Sequence, residues 1–82
     1  MSWRVLLYDT VEHWIDERAP SREQVVGLER WLLALVDNGP PIDAIAVPFV
    51  EDLLAARVDE ADAVVTFLVI PYEQLIILKS VE

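Results

Sequence analysis

The sequence predicts an α+β domain in which two N-terminal helices pack on a small sheet, and three observations carry that prediction. Capping-box-like pairs at Asp9 and Glu12 and at Ser21 and Gln24 each precede apolar residues at helical spacing. Near the end of the chain, two runs rich in Val, Ile, Leu and Phe are separated only by Pro71-Tyr72-Glu73-Gln74, the signature of adjacent strands. The chain of 82 residues, 55% of them hydrophobic, can bury one core but not two, so residues 1–82 form a single domain.

Trp3 to Tyr8 is rich in β-branched and aromatic residues and reads as a first strand. The first helix starts at the Asp9 cap, carries Val11, Trp14, Ile15 and Arg18 along one side, and stops at Ala19-Pro20. Helical phase makes Trp14 a core anchor, with Trp3 and Trp31 as core or interface anchors. Ser21 opens the second and clearest helix, whose central stripe is Val25, Leu28, Leu32 and Leu35. Val26, Trp31, Leu33 and Val36 widen the stripe beyond half the circumference, which predicts burial from two sides. Asn38-Gly39 supplies a left-handed cap, and Pro40-Pro41 forbids continuation.

Ile42 to Pro48 reads as an extended connection bracketed by prolines. Residues 49–58 admit two readings: Pro48, the acids Glu51 and Asp52, and Arg57 favour a short helix by local chemistry, and a strand needs tertiary context. Ala63 to Ile70 and Leu75 to Val81 are the two strands, joined by a tight turn and antiparallel. Their nearly continuous apolarity requires cover on both faces, the second supplied either by the helices or by a partner.

Fifteen acidic residues against six basic ones give a net charge of −9, and the cations Arg4, Arg18, Arg22, Arg30, Arg57 and Lys79 are scattered. Nucleic-acid binding depends on clustered Lys and Arg that displace condensed counterions, so this balance argues against nucleic acid as a direct ligand. Cysteine is absent, which excludes disulfides and thiolate metal sites. No apolar run approaches the roughly 20 residues that span a bilayer, and MSWRVLLYDT does not read as a signal peptide. The expected location is the cytoplasm. An apolar surplus in so small a domain predicts a homo-oligomer or a hetero-complex.

The order of one strand, two helices and a run of strands, with WRVLLYDTVEHW at the start and a helix closed by DNGPP, resembles the RelE/ParE toxin superfamily, in particular its actinobacterial and phage-like RelE branch. The resemblance covers most of the chain and implies a helical pair on a twisted antiparallel sheet. It aligns Leu53-Leu54-Ala55-Ala56-Arg57-Val58 with a family strand, Ala63-Val64-Val65-Thr66-Phe67 with the third strand, and Leu75-Ile76-Ile77-Leu78 with the final one. Family members that cut messenger RNA on the ribosome use lysines and arginines to stabilise charge on the scissile phosphate. Here the third-strand arginine position is Val64, a basic C-terminal extension is missing, and only Arg57 and Lys79 remain as a residual family site. Glu51, Asp52, Asp59, Glu60 and Asp62 surround that single arginine and oppose an RNA backbone.

No residue is therefore assigned a catalytic role, and no metal or cofactor is implied. His13 lacks a nucleophile or sequence partner and reads as a helix-surface histidine. Asp9, Glu12 and Asp16 read as capping and solvated carboxylates, and Ser21 as a cap. Tyr72, Leu75 and Ile77 are the candidate partner-binding residues, because the last strand is apolar at almost every position and an open edge of that composition invites pairing. The expected function is protein binding by a toxin fold with a degenerate active site, the partner being an antitoxin-like protein or a second copy. The competing expectation is an active type II toxin that inhibits translation or DNA gyrase and is neutralised by a cognate antitoxin. A subunit unconnected with toxins is a third, since fold does not fix function.

Overall fold

The computed structural model describes residues 2–82. In chain order the elements are β1 (Arg4–Leu6), α1 (Thr10–Arg18), α2 (Arg22–Asn38), β2 (Ile45–Ala46), β3 (Leu53–Val58), β4 (Ala63–Ile70) and β5 (Leu75–Val81). Short 3-10 turns, Asp59–Ala61 and Pro71–Glu73, join β3 to β4 and β4 to β5. The five strands form one sheet in the order β1-β5-β4-β3-β2, antiparallel throughout except that β1 runs parallel to β5.

The α+β class and both long strands stand as expected, and Leu53–Val58 takes the strand reading. Phe49 and Asp52 adopt left-handed backbone (φ 65° and 63°), so Pro48 leads into a turn and not into a helical first turn. Pairing of all six β3 residues with β4 then outweighs local helix preference.

Three expectations need correction. The last strand is not an edge: β5 lies between β1 and β4, so its backbone groups are paired on both sides. The sheet is not wholly antiparallel: the three-residue β1 pairs parallel to β5, and the direction of a strand relative to a distant neighbour is not written in its own residues. Asp9 precedes α1 without a side-chain cap. The Thr10 hydroxyl instead donates to the Leu7 carbonyl at 2.6 Å.

At α2 the capping box forms as expected. The Gln24 amide N–H donates to Ser21 Oγ at 3.2 Å, and the Ser21 amide donates to Gln24 Oε1 at 2.7 Å. Gly39 closes the helix at φ 78°, its N–H donating to the Leu35 carbonyl at 2.8 Å. The Trp3 indole covers Gly39 so closely that a Cβ there would stand 2.6 Å from Trp3 Nε1, which makes glycine a packing requirement as well as a backbone one.

The core lies between the helices and one face of the sheet. Trp14, Leu28 and Leu35 meet Ala56, Val58, Ala63, Val65, Phe67, Ile76, Leu78 and Val81 there, and Trp31 packs edge-on against Phe67 with ring centroids 6.2 Å apart. Val25 and Leu32 flank this cluster and are only partly buried. The two-sided burial expected of α2 is not completed within the chain, since Val26 and Leu33 remain 41% and 65% exposed.

Candidate functional site

Side chains alternate between the faces of a sheet, so strand register decides what the face away from the helices presents. Cross-strand pairs align Leu6, Ile77, Leu68 and Leu53 in one row over β1, β5, β4 and β3. The adjacent row is Ser80, Thr66, Ala55 and Ile45, and beyond it Val64 stands opposite Arg57. On the other side, Arg4, Leu75 and Ile70 make a third row. Leu53, Ala55, Thr66, Leu68, Ile70 and Ile77 are half-buried, and Leu6 and Val64 are exposed. The result is an open apolar face with one polar feature near its centre, the Thr66 and Ser80 hydroxyls hydrogen-bonded at 2.5 Å.

Among the described residues, cations reach this face only at its margins, at Arg4 and Arg57. Arg57 donates from Nε to Asp59 Oδ1 at 3.0 Å and from Nη2 to Asp62 Oδ1 at 2.6 Å. The hydrogen bond and charge of Asp62 raise its pKa above the ordinary arginine value, with Asp59 adding to the effect. The two carboxylates offset the guanidinium charge that would attract a phosphate, although only two of its five N–H donors are engaged.

Lys79 sits elsewhere. The β4–β5 register steps from Thr66 opposite Ser80 to Phe67 opposite Leu78, which leaves Lys79 as the extra residue of a bulge. It lines an open pocket of about 460 Å³ beside α1, with Asp9, His13, Glu17, Arg18 and Glu82 among its neighbours. Arg57 borders a different groove, between α2 and β3, so the two residual family cations do not share a cavity. His13 lies in the Lys79 pocket, away from the open sheet face.

The three residues expected to bind a partner have different fates. Ile77 lies in the central apolar row, as a docking face requires. Tyr72 projects from the second 3-10 turn and is 90% exposed. Leu75, in a row with Arg4 and Ile70, is buried and offers little surface to a partner. The sequence did not show that Leu6, Leu53 and Leu68 share the row of Ile77. Alternate positions along β4 carried a signal, but only the register shows which neighbours join them.

No family model matches the chain, and no curated protein matches it. Among solved structures it is similar to an arginine-to-alanine double mutant of the E. coli toxin RelE in the free state. The TM-score is 0.67 at 16% sequence identity, over 99% of this chain and 82% of that one. Two helices on a five-stranded mixed sheet, in this order, thus make a RelE-like fold.

Proposed function

We propose that this chain is a toxin–antitoxin-type protein of the RelE/ParE kind that acts by binding another protein and does not cleave RNA. The observation that carries the proposal is the open sheet face, where Leu6, Ile77, Leu68 and Leu53 form a continuous apolar row and Arg57 is tied to Asp59 and Asp62. Phosphodiester cleavage develops negative charge that preorganised cations must stabilise, and a leucine row supplies none. Apolar side chains held half-exposed on a rigid sheet instead suit a protein partner, which removes them from water at about 25 cal/mol per Å² of apolar surface.

The partner in this reading is an antitoxin-like protein, or a second copy forming a homo-oligomer, in the cytoplasm. The net charge of −9 keeps the particle in solution, and burial drives assembly. Among the described residues no helix is long and apolar enough to cross a membrane.

The test has two arms. Purified protein added to a translation extract should leave transcripts intact, whereas ribosome-dependent cleavage that Arg57→Ala abolishes would overturn the reading. Light scattering over a dilution series, alone and with products of neighbouring reading frames, should reveal an assembly that Ile77→Lys weakens. A monomer that ignores every such protein defeats the binding reading. Growth arrest on expression without transcript cleavage would favour an active toxin with another target, such as gyrase.

A further inference from the structure

Arg22, Val26, Leu33 and Asp37 follow one another along α2 at intervals of four, seven and four residues. At about 100° per residue they fall within about 60° of arc, so they form one line on the helix surface. All four are exposed. Val26 and Leu33 are the apolar side chains that α2 leaves open, and beside Leu33 lies a groove of about 340 Å³ lined by Val5, Leu7, Leu32 and Val36.

The two charges of the line sit against the field of their own helix. A helix carries positive partial charge at its N-terminus and negative partial charge at its C-terminus, which disfavours Arg22 in the first turn and Asp37 in the last. Neither has an ion-pair partner among the described residues, whose ion pairs are Arg30 with Glu60 and Arg57 with Asp59 and Asp62. Helix stability therefore gives no reason for this placement, and a partner of complementary charge does.

We infer that α2 docks antiparallel on the α2 of a second copy of this chain, about a twofold axis that passes between Glu29 and Arg30. The line is symmetric about that point, with opposite charges at its ends. Arg22 then lies opposite Asp37 of the other copy and Val26 opposite its Leu33, and each pair occurs twice because a twofold contact is isologous. Parallel docking would set Arg22 against Arg22 and Asp37 against Asp37. A partner of uniform charge would match one end of the line and repel the other. The antiparallel seam also supplies the second side of burial that α2 lacks within the chain.

Two features keep the dimer weak. Glu29 of each copy meets its counterpart beside the axis, and a net charge of −9 on each chain opposes close approach. A single helix pair also buries less than the roughly 1,200 Å² at which standard interfaces begin. The seam is separate from the open sheet face, so the inference does not rest on the function proposed above.

The experiment is sedimentation equilibrium of the full chain and its variants from about 1 µM to about 1 mM, with amide chemical shifts followed over the same dilution. Shifts should move at Arg22, Val26, Leu33 and Asp37. Leu33→Lys alters an exposed position and should weaken association by about tenfold or more. Arg22→Asp sets a carboxylate opposite Asp37, and Asp37→Arg sets a guanidinium opposite Arg22, so each reversal alone should weaken association. Together they restore opposite charges across the seam and should recover most of the loss. Both reversals place charge where the helix dipole favours it, so neither weakens the helix itself.

A monomer at about 1 mM overturns the inference, and so does a double reversal that associates no better than the single ones. Association lost in Ile77→Lys and kept in Leu33→Lys would assign the contact to the open sheet face, which also overturns it and leaves the proposed function standing.

Discussion

Gly27 lies directly beneath Glu60: a Cβ on Gly27 would stand 2.6 Å from the Cβ of Glu60 and 3.0 Å from its carbonyl carbon. That contact seats the turn Asp59–Ala61 on α2, where Gln24 Nε2 also donates to the Ala61 carbonyl at 3.3 Å and Arg30 pairs with Glu60. The same turn carries Asp59, and Asp62 follows it, so Gly27 indirectly positions the carboxylates that hold Arg57.

Gly27→Ala should therefore destabilise the protein even though alanine is the better helix former. The propensity gain is about 1 kcal/mol. Overpacking against backbone and Cβ atoms, which cannot rotate away, costs about 1–3 kcal/mol. Urea denaturation should show a lower midpoint, and a higher one would mean the turn shifts freely.

The apolar stripe of α2 should prove uneven. Leu28 is 1% exposed in the core, so Leu28→Ala should cost about 2–5 kcal/mol. Leu32 borders an outer groove with Val5, Leu7 and Val36, and its truncation should cost less. Thermal and chemical unfolding of both variants checks the ranking, which a larger loss at Leu32 would reverse.

The two helix starts should respond differently to alanine. Ser21→Ala removes a formed capping box and should cost about 0.5–2 kcal/mol. Asp9→Ala removes an exposed carboxylate with no cap bond and should stay within about 0.5 kcal/mol. Thr10→Val, which deletes the hydroxyl bonded to Leu7, should cost about 1 kcal/mol. Comparable losses at Asp9 and Ser21 would refute the assignment of caps.

Arg57→Ala should leave unfolding nearly unchanged between pH 5 and 9. Its guanidinium is exposed, and its folded pKa lies above the unfolded value. The associated stability is therefore fully present below the unfolded arginine value and is lost only as pH rises through the still higher folded value. A wild-type minus variant difference that varies across neutral pH would show that another group titrates with Arg57.

How much was legible in the sequence follows from which forces are local. Ser21 and Gln24, Gly39 before two prolines, and the two apolar strand runs encode their elements through neighbours a few residues away. The bounds of α2, β4 and β5 could be read from them. Residues 49–58 could not be settled that way, because their local chemistry favours a helix and the partner that makes them a strand, β4, lies across a turn. The same distance hid the direction of β1 and the interior position of β5.

For the site, the sequence by itself determined the sign of the surface, the scarcity of cations and the isolation of Arg57 among acids. Composition and spacing decide those. Only the tertiary structure decided that Ile77 shares a row with Leu6, Leu68 and Leu53, that Leu75 is buried, and that Lys79 belongs to a bulge on the α1 side. Which apolar residues meet, and which stay open to a partner, depends on strand register, and register is a relation between segments that no single segment contains.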